Sequence, residues 1–141
     1  MRIGFDAKRA FFNSRGLGNY SRDTIRILTQ VESENRYFLY SPKKEQKIGF
    51  AYNRDNSEIR TPEGWHSISS ALWRTRFVCE DIRRDQLDIY HGLSHELPYG
   101  IEKTGVRSVV TMHDLICLKN PELFPFFDRY TLKKKYTHGC R

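Results

Sequence analysis

The sequence predicts an α/β domain, a Rossmann-like doubly wound parallel sheet. Three observations lead there. Short apolar and aromatic runs alternate with segments of helical apolar spacing along the whole chain. Residues 36–41 form a continuous aromatic and apolar run, fit for a strand covered on both faces. The first strand leads through a loop holding Gly16 and Gly18 into a helix. That order places backbone N–H groups and a helix N-terminus at the carboxyl edge of a parallel sheet.

Each element has its own reason. Ile3 and Phe5 place a strand over residues 1–6, with Asp6 at its end. Residues 7–18 are a long connection for a βα unit, which points to function rather than economy. Tyr20, Thr24, Ile27, Leu28 and Val31 then fall at i, i+4, i+7, i+8 and i+11, predicting one buried helix face, with Arg22, Asp23 and Arg26 outside. Pro42 closes the strand of residues 36–41. Residues 43–64 are punctuated by Asn53, Asp55, Asn56, Pro62 and Gly64, with strand candidates at 48–52 and 58–60. A helix over residues 66–86 carries a stripe of Ile68, Leu72, Cys79 and Ile82, widened by Trp73 and Phe77, with Cys79 as a small core residue. Residues 87–91 form a short strand, 92–98 a loop and 103–105 a turn. Residues 106–112 are the most β-branched run and predict the central strand, which delivers His113 and Asp114 at its carboxyl end. Asn120, Pro121 and Pro125 mark a loop, and residues 128–140 a helix with Asp128 as N-cap and Lys133, Lys134 and Lys135 facing water. A βαβ series normally returns to its sheet, so residues 1–141 read as one incomplete domain of a longer protein.

Composition narrows the function. Hydrophobic residues make up 38% of the chain and aromatics 13%, which fits a folded domain with a large polar surface or a face open to a partner. Lys and Arg outnumber Asp and Glu 24 to 17, a net charge of +7 that suits phosphorylated ligands, anionic membranes or nucleic acid without choosing among them. The aromatics do not interleave with Lys and Arg as on a single-strand platform, so no nucleic-acid partner is expected. Cys79, Cys117 and Cys140 lack a CxxC or zinc spacing and read as reduced thiols of a cytoplasmic protein. The start has no signal-peptide core, and no stretch approaches the roughly 18 apolar residues of a membrane span.

Two constellations carry chemistry. Gly16-Leu17-Gly18 gives G-x-G without a third glycine, and Tyr37 to Ser41 stand where a ribose-binding acid would be, so nicotinamide binding is disfavoured. The loop faces a phosphate, or it is a turn that needs positive φ and close packing. His91, His95 and His113 all lie at or just after predicted strand ends, with Asp114 beside His113. His91 and His95 are four apart, but Gly92, Ser94 and Pro98 make that piece a loop, and no matching Glu or Cys set accompanies them, so no metal is expected. His113 is either a ligand-facing hydrogen-bond donor or general acid–base, or an imidazole bonded to backbone carbonyls. Lys8, Arg9 and Arg15 in the first loop meet phosphates or an acidic acceptor, or are solvated.

The segments 1–7, 16–22, 72–74, 88–98 and 110–116 together resemble the amino-terminal domain of family 4 retaining glycosyltransferases, the group 1, mannosyltransferase-like enzymes of GT-B architecture. The most specific are Tyr90 to Pro98 (Tyr-His-Gly-Leu-Ser-His-Glu-Leu-Pro) and Thr111 to Ile116 (Thr-Met-His-Asp-Leu-Ile). The resemblance implies two Rossmann-like domains facing a cleft, with the acceptor on the amino-terminal side. The nucleotide-sugar sits on a carboxy-terminal domain with an E-x7-E glutamate pair, and no metal is needed. Gly16, Leu17 and Gly18 match the loop that approaches the donor phosphates, and His113 the strand-end histidine near the transferred sugar. Asp114 would orient that histidine or the acceptor, and Arg15, Tyr20, His91 and His95 are the acceptor-side candidates. No glutamates here have the E-x7-E spacing, so the nucleotide-sugar domain is absent from this stretch and the isolated domain is expected to be inactive. The implied function is sugar transfer to a polysaccharide or lipid-linked acceptor, with contact at the inner membrane face. The rival is a Rossmann-like module that binds a phosphorylated ligand or a protein partner without catalysis.

Overall fold

The structure is a computed structural model that describes residues 1–64 and 69–140. His66 and Ile68 of the expected helix lie outside the described residues. Five parallel strands, β1 (Arg2–Asp6), β2 (Arg36–Tyr40), β3 (Ser57–Arg60), β4 (Ile89–Gly92) and β5 (Arg107–Val110), form one sheet in the order β3-β2-β1-β4-β5. The chain winds outward from β1 to β3, then crosses back to β4, so the strand order reverses between β1 and β4. The order and the parallel pairing are Rossmann-like.

β2 shows why the sheet is covered on both sides. Tyr37 and Leu39 point into one core with Phe5, Ala10, Phe11, Ile25 and Leu93, beneath α1 (Lys8–Phe12) and α2 (Gly16–Val31). Phe38 and Tyr40 point into the other core with Trp73, Val78, Ile82 and Tyr90. There the covering elements are α3 (Ser70–Leu72), a π-helical turn (Trp73–Phe77) and α4 (Val78–Arg84). Each large side chain so buried contributes about 1.5–3 kcal/mol. The polar tips are satisfied: the Tyr40 hydroxyl donates to Asp85 Oδ2 at 2.8 Å, and the Tyr37 hydroxyl to the Leu28 carbonyl at 2.8 Å.

Several expectations are corrected. Residues 7–18 are not one loop, because α1 occupies Lys8–Phe12 and α2 already begins at Gly16. The inward face of α2 carries Gly18, Ser21, Ile25 and Thr29, while Val31, Ile27 and Tyr20 are exposed. The small residues turn inward because α2 lies close against α1 and β1. Arg22 is not outside either, since its guanidinium donates to the carbonyls of Ala10 and Asn13, both at 2.8 Å. The central strand is β1, and the β-branched run ends up as the edge strand β5, whose residues are largely exposed. Of the two candidates in residues 43–64, 58–60 lies in β3, whereas 48–52 pack on α1, with Ile48 N–H donating to the Phe11 carbonyl and Phe50 against Phe11.

Leu72 is exposed, because the π turn that follows rotates Trp73 into the core in its place. Cys79 is the small core residue expected, its thiol pushed up to about 11 by burial. The last helix, α6 (Phe126–Gly139), follows α5 (Ile116–Lys119) and starts after Pro125, so Asp128 lies in its first turn instead of capping it. Lys135 does not face water but reaches Glu96 at 2.5 Å. No helix among the described residues is long and apolar enough to cross a membrane.

Candidate functional site

The carboxyl ends of β1, β4 and β5 meet where the strand order reverses, the place where open α/β sheets bind ligands. Five pieces converge there: α1, the start of α2, the loop after β4, residues 111–114 and the inner face of α6.

The loop after β4 is folded back on itself. A Cβ on Gly92 would stand 2.0 Å from the Glu96 carbonyl oxygen, so only glycine lets residues 93–96 double over the strand end. His95 at the bend has φ 59°, a left-handed conformation that few side chains adopt. Its N–H donates to the Thr111 carbonyl at 3.0 Å, which ties the loop to the segment after β5.

The three histidines expected at strand ends are brought together. His113 and His95 stack edge to face with ring centroids 5.1 Å apart, and Tyr20 meets His113 edge to face at 4.7 Å. Thr111 Oγ1 lies 2.8 Å from His91 Nε2 and 3.2 Å from the Tyr20 hydroxyl, linking three elements through one side chain. His113 Nε2 lies 2.8 Å from the Leu93 carbonyl. A carbonyl only accepts, so Nε2 donates to it and Nδ1 is the nitrogen which that bond does not use. One nitrogen is thus anchored to backbone and the other is left for chemistry. Burial lowers His91, and burial together with His113 and Arg9 lowers His95, so their surroundings favour the neutral rings. His95 Nδ1 and Ser94 Oγ are buried without a hydrogen-bond partner among the described residues.

Other expected residues are placed differently. Asp114 is exposed and accepts from the Ile116 N–H at 3.1 Å, a local turn just ahead of α5, and it makes no hydrogen bond to His113. Arg15 is the N-cap of α2; its N–H donates to Asn13 Oδ1 at 2.8 Å, and its side chain is exposed. Gly16, Leu17 and Gly18 are the first turn of α2 and none has positive φ, so they are no left-handed turn. Gly18 is nevertheless required, because a Cβ there would sit 1.7 Å from the Asn13 carbonyl oxygen. Gly16 has open space around it. No acidic side chain occupies the first turn and no side chain caps it, leaving the positive end of a 16-residue helix facing outward.

Beneath this surface lies an ion network that sequence reasoning missed. The Arg74 guanidinium, on the π turn, donates through Nε to both oxygens of Asp6, at 3.1 and 3.3 Å, and through Nη2 to Glu96. Glu96 also accepts from Lys135. Burial opposes the charge on Glu96, but Arg74 and Lys135 outweigh it and hold its carboxyl below the ordinary value. Burial likewise opposes the Arg74 charge and is outweighed by Asp6 and Glu96, which raise it. Asp6, Arg74 and Glu96 each stand in a segment that the resemblance rests on, and that clustering was the available signal. Among the described residues, no group of three or more His, Cys, Asp or Glu is placed to hold a metal ion.

Compared with known proteins, the chain matches no family model, no curated protein and no solved structure.

Proposed function

We propose that this chain is the acceptor-side domain of a retaining glycosyltransferase of GT-B type. The transferred sugar comes from a nucleotide-sugar held by a second domain, and the acceptor is a polysaccharide or lipid-linked glycan. The observation that carries the reading is the cluster at the switch point. His113, His95, Tyr20 and the uncapped start of α2 lie on one sheet edge. In this reading the open helix end faces the donor diphosphate, whose leaving charge it stabilises. His113 Nδ1 receives a hydrogen bond from the sugar or the acceptor hydroxyl, and the Leu93 carbonyl holds its ring in place. His95 and Tyr20 support that ring, and Arg15 reaches the acceptor side.

An acceptor carried on an anionic membrane fits the same reading. Leu123, Phe126, Phe127 and Tyr130 are exposed beside Arg129, Lys133 and Lys134.

The coding sequence past Arg141 is the first test. An E-x7-E pair there supports the enzyme, whereas a stop codon supports a non-catalytic module that binds a phosphorylated ligand. In the two-domain protein, His113→Ala lowers sugar transfer on the order of a hundredfold or more while the circular dichroism spectrum is unchanged. Wild-type turnover in that variant would remove His113 from the chemistry.

A further inference from the structure

A second basic feature lies on the other side of α1 from the histidine cluster. Lys8, Phe12, Pro42, Lys43, Lys47, Ser70, Ala71 and Arg74 line a cleft of about 260 Å³ at the carboxyl ends of β1 and β2. Its charge is not balanced. Asp6 and Glu96 are the carboxylates of the adjoining network, and both are engaged by Arg74, with Lys135 also on Glu96. Two carboxylates there answer two cations. That leaves Lys8, Lys43 and Lys47, for which no described residue supplies an ion-pair partner. Arg74 itself is only 11% exposed, and its Nη1 has no hydrogen-bond partner among the described residues while Nε and Nη2 are occupied. Lys8 is half-buried, and burial together with Arg74 lowers its ammonium below the ordinary lysine value. Like charges facing a cleft with apolar walls repel one another, and a bound anion relieves that repulsion.

We propose that this cleft binds a phosphate or diphosphate group, held by Lys8, Lys43 and Lys47 with Arg74 Nη1 as the fixed donor. The volume supports a group rather than a whole molecule, since it falls below the roughly 300–1,000 Å³ of pockets that enclose drug-sized ligands. Phe12, Pro42 and Ala71 form apolar walls that strengthen each charge–charge contact and leave room for a linking chain. The inference rests on the glycosyltransferase reading and deepens it: the acceptor carries a phosphate, and the two anions lie on opposite sides of α1.

The probe is inorganic pyrophosphate, titrated calorimetrically into the protein at fixed ionic strength. Binding is expected, and Lys43→Glu with Lys47→Glu weakens it about tenfold or more, because both side chains are exposed and reverse sign without disturbing the core. Lys8→Met gives a similar loss and checks the half-buried position. Gly16→Asp, which places a carboxylate at the open start of α2 and removes any diphosphate binding there, leaves intact the binding stage that depends on Lys43 and Lys47. Unchanged affinity in the double variant, or equal heat from chloride, overturns the cleft. Loss of all binding in Gly16→Asp alone moves the anion to α2, which overturns the cleft and leaves the glycosyltransferase reading standing. Phosphatidylcholine vesicles containing phosphatidic acid separate the sources. If pyrophosphate displaces the protein from them, the cleft holds a lipid phosphate. If pyrophosphate binds and the double variant binds vesicles like the parent, the cleft holds a soluble or glycan phosphate.

Discussion

Gly16 and Gly18 stand two residues apart on the same helix turn, yet the backbone asks opposite things of them. A Cβ on Gly18 would overlap the Asn13 carbonyl, and that carbonyl is fixed by the Arg22 guanidinium. Gly18→Ala therefore forces backbone apart and is expected to destabilise the domain by about 1–3 kcal/mol, the cost of overpacking a tight contact. Gly16→Ala meets nothing and leaves the urea midpoint unchanged or slightly raised. Equal losses at both positions would contradict this division. The histidines make a second prediction at the same scale. Burial lowers His91 and His95 in the folded state from 6.5, so between those lowered values and 6.5 the unfolded chain binds more protons than the folded one. Stability then rises with pH across that window and is lost as pH falls below about 6.5. His91→Gln combined with His95→Asn, a residue that tolerates the left-handed bend, flattens the thermal-melting profile between pH 5 and about 7.

At the scale of the element, the π turn earns its place through Arg74. An α-helical path would present these residues on another face, and the π turn instead buries Trp73 while turning Arg74 toward the end of β1. Arg74 joins β1, the π turn and the loop after β4, and Glu96 extends the tie to α6 through Lys135. Arg74→Ala strands the buried Asp6 carboxylate and is expected to cost about 3–5 kcal/mol in a denaturant titration. Asp6→Asn with Arg74→Met removes both charges and recovers a large part of that loss; no recovery would show that Arg74 acts by packing alone. This network was hidden in the sequence because Asp6 and Arg74 are 68 residues apart, and no periodicity marks a side chain bent inward by a π turn. What was legible were local patterns: the run at β2, which has apolar neighbours on both faces, and the placement of His91, His95 and His113 at strand ends. Strand position was not legible, because the β-branched run of β5 encodes preference for extended backbone and not rank in the sheet. The face of α2 was misread because close packing selected Gly18, Ser21 and Thr29 over larger apolar residues.

For the whole molecule, exposed apolar surface is concentrated on the side of α5 and α6. Phe126 and Phe127 are 72% and 80% exposed, and Leu123 is close behind, so this is no scatter of single apolar residues. Lys134 lies over the Tyr130 ring at 5.1 Å, which places a cation at the edge of the apolar surface. An anionic bilayer offers both kinds of complement: hydrocarbon for the phenylalanines, and a negative surface for Arg129, Lys133 and Lys134, worth about 1 kcal/mol per basic residue near the headgroups. Co-sedimentation with phosphatidylcholine vesicles containing phosphatidylserine is the measurement. The protein is expected to bind, more weakly as salt rises, and Phe126→Ser with Phe127→Ser reduces the bound fraction by about tenfold, the equivalent of withdrawing one large apolar side chain from hydrocarbon. Both residues are too exposed for the variant to unfold the domain, so an unchanged melting temperature accompanies the loss. Sedimentation velocity supplies the opposing outcome. If the parent self-associates without lipid and the double variant is monomeric, the surface is covered by a second copy of the chain and not by a bilayer.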